Sequence, residues 1–290
     1  MDVSVTNPRE TIGKAKRINV DWADLTTPQR IKWIEQEGFV VLPDLLSPDQ
    51  LDQLHAELSQ LPTRPTDYSD NQRGTGDIMS AAAPAAMDIV AHPAMTEFLT
   101  ALFGDELICT SCAYAISRPG HPGIAIHTDA QPYGSKIFGL KASSPCLVRA
   151  LYYLDDLTSL RSPLKVIPRS HLSMHADANP YNRYLRHDQE AMITCKAGSA
   201  AIINQKIFHA NYPNHSDTDR RMLAIAYRPM WAGPVGEAPE HDPDTIAQLP
   251  PHVRPYFKSP NTRRIDFDMP NRPDNLQTSA AGISPGRWGD

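Results

Sequence analysis

The sequence lacks the material for a disulfide framework: four cysteines, Cys109, Cys112, Cys146 and Cys195, are too few and too scattered across 290 residues to staple a fold. Only Cys109 and Cys112 have the spacing of half a zinc site, and no second pair completes a tetrahedron. They read instead as small apolar residues of a strand. No stretch reaches the roughly 18 apolar residues of a membrane span, and Met1 to Lys16 hold no apolar segment of the kind that precedes a cleavage site. The expected location is the cytoplasm, with no membrane partner. Charge of one sign is also lacking, since 28 basic residues face 33 acidic ones without a long run of either. That excludes the basic stripe on which nucleic-acid binding depends. There is no internal repeat, and the length suffices for one domain spanning 1–290 with a real core.

What is present divides into three textures. The first, 1–105, is mainly helical. Thr27-Pro28 reads as a cap and first helical position, with Ile31 and Ile34 on one face and Gly38 as the stop. Phe39 to Leu42 then reads as a buried strand. Ser47-Pro48-Asp49-Gln50 is a capping box ahead of Leu51, Leu54, Leu58 and Leu61 at helical spacing. Polar residues from Arg64 to Gly76 predict a long loop, and Pro93 to Phe103 a third helix closed by Gly104 as a left-handed cap.

From 106 to 232 short apolar runs at 108–116, 147–154, 191–194, 200–203 and 222–227 alternate with Gly, Pro, Asp and Ser clusters, the pattern of many short antiparallel strands. From 233 to 290 proline is frequent and apolar periodicity is lost, so an irregular extension is expected, wrapped on the strands or closing over a site.

The candidate chemistry lies among the strands. In Ile124-Ala125-Ile126-His127-Thr128-Asp129, residues two apart on a strand share a face, so His127 and Asp129 can share one metal ion. A third ligand is needed to hold a divalent ion on one side, and His209, before the turn-rich Asn211 to Asp219, is the best placed. Eleven residues on, Arg220 opens the run to Tyr227 and is suited to a bidentate pair with a remote carboxylate. Arg221 must take the opposite face. Arg149 can face either a cavity or solvent, and Tyr152 and Tyr153 read as ordinary core and surface partners. His171 and His175 have zinc-pair spacing, but no Glu stands next to His171 as a metalloprotease helix requires.

In that order the segments resemble the phytanoyl-CoA dioxygenase family of iron(II)/2-oxoglutarate oxygenases. The likeness runs from Gly38-Phe39-Val40-Val41-Leu42-Pro43 through His127-Thr128-Asp129, Tyr152-Tyr153-Leu154-Asp155-Asp156 and Val166-Ile167-Pro168-Arg169-Ser170-His171 to His209, Pro213-Asn214 and Arg220, with Arg169 where the family usually has glycine. The resemblance implies a mainly β fold with flanking α-helices, a double-stranded β-helix or cupin-like jelly roll with the N-terminal helices outside. It implies iron(II) held by His127, Asp129 and His209, with 2-oxoglutarate and dioxygen as cosubstrates and a small-molecule substrate. Arg220 is expected to hold the distal carboxylate of 2-oxoglutarate, with Asn211 and Tyr114 as further contacts. Hydroxylation coupled to release of succinate and carbon dioxide is the implied outcome, and Asp129 argues against a halogenase, which would have Gly or Ala there. Two other classes use the same scaffold: a cupin-like metal-dependent isomerase or hydrolase with no need of Arg220, and a non-catalytic jelly-roll binding module.

Overall fold

The computed structural model describes residues 16–76, 78–79, 83–127, 146–172, 186–233 and 237–262. After a short strand β1 (Lys16–Arg17), Thr26 caps helix α1 (Thr27–Glu37) in a reciprocal box with Gln29, one residue earlier than expected because Gln29 sits three residues beyond Thr26. Strand β2 (Phe39–Leu42) follows, then α2 (Pro48–Leu58), whose box pairs Ser47 with Gln50 as expected. Arg64 to Gly76 is not a loop. It forms a hairpin, β3 (Arg64–Thr66) and β4 (Ser69–Thr75), in which backbone pairing outweighs the weak strand propensity of a polar sequence at a sheet edge. Helices α3 (Pro84–Val90) and α4 (Pro93–Phe103) precede the strands β5 (Leu107–Ser117), β6 (Val148–Tyr153), β7 (Leu164–Val166), β8 (Ala191–Ile193), β9 (Ala200–Asn204), β10 (His209–Asn211) and β11 (Arg220–Pro229). Gly104 takes the positive φ of 90° that favours glycine, but its ψ of 179° departs from the left-handed helical cap expected there.

Two sheets form, β2-β9-β6-β11-β5-β4-β3 and β1-β8-β7-β10, the mainly β jelly-roll arrangement with flanking helices. Alternation along the strands sorts side chains between two cores. Val40, Val148, Ala150, Tyr152, Ile202, Leu223 and Ile225 face the helices, against Ile34, Leu54, Leu58, Phe98 and Leu99. Their neighbours Phe39, Val41, Leu151, Tyr153, Ile203, Met222 and Ala224 face the second sheet and its Leu164, Val166 and Ile193. Strands β2, β9, β6 and β11 of the large sheet are thus buried on both faces, which is why they read as nearly unbroken apolar runs. The same parity sends Arg149 inward with Leu151 and Tyr153, although it is only half-buried. Among the described residues no helix is long and apolar enough to cross a membrane.

The extension is less irregular than its composition suggests. It contains α5 (Pro243–Gln248), capped by Asp242, and lays Leu249, Val253 and Phe257 into the helix-side core. Arg228, buried on β11, anchors it by donating to the carbonyls of Pro260 at 2.6 Å and Thr262 at 2.8 Å.

Gly38 joins α1 to β2 at φ 87°, and a Cβ there would stand 2.7 Å from His171 Nδ1 and 2.9 Å from Ile207 Cδ1. Gly38→Ala is expected to cost about 2–4 kcal/mol, the left-handed penalty plus a forced repacking. Chemical denaturation should show it as a lowered midpoint at unchanged slope.

Candidate active site

β10 and the segment ending at His127 meet in an isolated antiparallel bridge, although the run before His127 is not the strand its alternation suggested. His127 N–H donates to His209 O at 3.0 Å and His209 N–H to His127 O at 2.9 Å. The pairing sets the two imidazoles side by side, centroids 4.4 Å apart and planes inclined at 47°. Each ring is also oriented by the carbonyl two residues before it: His127 Nδ1 lies 2.9 Å from Ala125 O, and His209 Nδ1 3.1 Å from Ile207 O. A carbonyl oxygen only accepts, so each Nδ1 donates to it, and Nε2 is the ring nitrogen that remains for a ligating role. An imidazole anchored in this way by a backbone carbonyl is the arrangement commonly found in ligands of transition metals. Asp129, the third expected ligand, lies outside the described residues.

Arg220 begins β11 on the inward parity and is completely buried. Its Nη2 donates to Ser117 Oγ at 2.6 Å, across the β11–β5 pair, and lies 3.5 Å from Ser162 Oγ. Ser117 Oγ in turn donates to Gln72 Oε1, its partner in register on β4. Among the described residues no carboxylate pairs with this guanidinium and its Nε has no partner, while burial pulls its pKa down from the usual arginine range. The next side chain goes the other way. Arg221 leaves on the opposite face and grips Asp155 through Nε at 3.0 Å and Nη2 at 2.7 Å, its backbone N–H adding a third bond at 2.8 Å. That grip fixes the start of β11, and alternation then commits Arg220 to the interior.

A buried cation with open donor positions suits an anion, and the surroundings agree. The Tyr153 ring centroid lies 6.0 Å from the guanidinium carbon, and among the described residues the buried Tyr153 hydroxyl has no partner. Buried polar atoms without partners are few in native structures, so their gathering around one cation marks a place for a charged acceptor. The donor set fits both groups that the sequence implied: two lone-pair imidazole nitrogens for a divalent iron, and a buried guanidinium with hydroxyl neighbours for a carboxylate.

Asn211 shares the face of His209 on β10, and its carbonyl accepts from Ile124 N–H at 3.2 Å. Tyr114 does not join Arg220. It projects to the helix-side core, on the opposite face of β5 from Ser117, where burial pushes its phenol up to about 12. Arg73 is turned back on its own hairpin, to Thr63 O at 2.6 Å. Ser117, Ser162, Gln72 and Tyr153 escaped the sequence reading as site residues. Alternation from Ala115 put Ser117 on the inner face, but only the β5–β11 register shows that it meets Arg220.

The family model described as phytanoyl-CoA dioxygenase matches residues 34–222. A dioxygenase of Aspergillus terreus, trt7, is 23% identical over 251 residues, 81% of this chain and 85% of that protein. An iron/alpha-ketoglutarate-dependent dioxygenase of Aspergillus calidoustus, ausU, is 23% identical over 208 residues, 67% and 68% of the two chains. Among solved structures, HygX of Streptomyces hygroscopicus with nickel and 2-oxoglutarate bound superposes with a TM-score of 0.60 at 15% identity, over 71% of this chain and 88% of HygX.

Removing the unpaired guanidinium should not weaken the ligand-free protein. Arg220→Met is expected to unfold at the same temperature as the parent or a higher one, because an apolar side chain of similar reach avoids desolvating a charge. A loss of more than about 2 kcal/mol would show that the charge is already compensated.

Proposed function

The chain belongs to the phytanoyl-CoA dioxygenase family, and from that membership we propose that it is a non-heme iron(II)- and 2-oxoglutarate-dependent dioxygenase that hydroxylates a small or medium-sized molecule, releasing succinate and carbon dioxide. The observation that carries this reading is the coexistence of an oriented histidine pair and a buried, carboxylate-free arginine. A metal-dependent isomerase or hydrolase of similar fold needs the first and has no use for the second.

His127 and His209, through Nε2, and Asp129, through its carboxylate, would hold the iron. Iron(II) in such a site supplies activation of dioxygen coupled to decarboxylation of the 2-oxo acid. The protein's own part is binding and exclusion. Arg220 takes the distal carboxylate in a charge-assisted contact and Ser117 holds the guanidinium in place, so the oxo acid enters in one orientation. Asn211, on the face of His209, adds an amide to the same cosubstrate. Phe39, Leu151, Met222 and Ala224 keep the wall beyond Arg220 apolar, which strengthens the carboxylate contact by excluding water. Asp129 fills the position that a halide would need, which favours hydroxylation over halogenation.

Anaerobic addition of iron(II) followed by 2-oxoglutarate tests the reading. A weak visible charge-transfer absorption is expected on the second addition, when the oxo acid chelates the metal through its keto and carboxylate oxygens. Arg220→Ala should raise the 2-oxoglutarate concentration needed by about tenfold or more. Iron binding without any spectral response to 2-oxoglutarate would instead indicate an isomerase or hydrolase.

A further inference from the structure

One buried group, on a turn linked through Asn214 and Ser117 to Arg220, has no part in that account. His121 is 1% exposed, and among the described residues neither of its ring nitrogens has a hydrogen-bond partner. Its place is well fixed. The turn after β5 is closed by His121 N–H donating to Arg118 O at 3.0 Å, and His121 O accepts from Asn214 N–H at 2.9 Å. Asn214 Nδ2 then donates to Ser117 O at 2.8 Å, and Ser117 Oγ receives Arg220 at 2.6 Å. The Tyr68 ring stands 6.1 Å from the imidazole. Burial and the positive charge of Arg220 hold the imidazole's pKa down to about 4, so at neutral pH the ring is neutral with one N–H to give. A histidine kept for packing alone would lose hydrogen bonds to water at both nitrogens, whereas an anion against Arg220 gives the N–H an acceptor.

We propose that His121 is a second donor to the distal carboxylate of the oxo acid, so that Arg220 and His121 together select a dicarboxylate over oxo acids with only one carboxylate. The inference rests on the reading under Proposed function, to which it adds a selectivity element. A neutral ring gives the anion at the guanidinium a further N–H donor without adding a second buried charge.

The test is calorimetric titration under anaerobic conditions of the iron(II)-loaded protein with 2-oxoglutarate and with 2-oxopentanoate, which has the same chain length but no distal carboxylate. For His121→Leu, 2-oxoglutarate is expected to bind about tenfold more weakly or worse, with 2-oxopentanoate changed by less than about twofold. His121→Gln, which keeps an N–H donor, should recover part of the loss. Should the leucine variant fold poorly, His121→Phe keeps the ring shape without a donor and is judged by the same comparison. Unchanged 2-oxoglutarate affinity in the donor-free variant overturns the proposal, and so does an equal loss for both acids, the mark of a purely structural residue. If the parent protein binds neither acid, the oxygenase reading fails first and the inference goes with it.

Discussion

Burial of β2, β9, β6 and β11 of the seven-stranded sheet on both faces is the constraint that most of this molecule answers to. Each strand must supply apolar side chains to a helix-side core and to an inter-sheet core at once, so a one-residue slip would exchange the two sets. Polar groups on such strands are admitted only where something accounts for them. Arg221 is accounted for by Asp155, and Arg228 by main-chain carbonyls. Among the described residues Arg220 has hydroxyl and thioether partners and no carboxylate paired with it.

The two halves of the site are built by different means. The histidines are brought together by backbone: reciprocal N–H to carbonyl bonds make the bridge, and carbonyls two residues upstream set both tautomers. The polar cluster is built by side chains from several segments, Gln72 on β4, Ser117 on β5, Ser162 before β7 and Arg220 on β11, linked around one guanidinium. Polar groups gathered at one end of a dry interior interact more strongly than they would in water, and leaving them unmatched is correspondingly costly.

Legibility in the sequence followed the range of the interactions involved. Local signals read well: the Ser47 box, the stop at Gly38 and the apolar strands 39–42 and 200–203 are encoded within a few residues. The 64–76 hairpin was missed because its strands are polar and owe their form to pairing with β5, a contact about 40 residues away. Alternation, a local rule, said that Arg220 and Arg221 take opposite faces, and the family resemblance chose Arg220 as the inward one. Tyr114 was named from the resemblance and its place on the strand before the metal pair, which did not say which face of β5 looks toward Arg220; register with β11 decides that. The importance of His121 was invisible in sequence, since it depends on a turn meeting Asn214, more than 90 residues on.

Arg228 secures the C-terminal extension through carbonyl oxygens, which every residue type provides. Docking at Pro260 and Thr262 therefore depends on the path of the main chain and hardly at all on which side chains it bears. Such an attachment tolerates evolutionary drift. The extension could diverge until no family profile recognised it while staying moored to the same arginine, and the profile that matches this chain does end at residue 222, ahead of both the arginine and its tether.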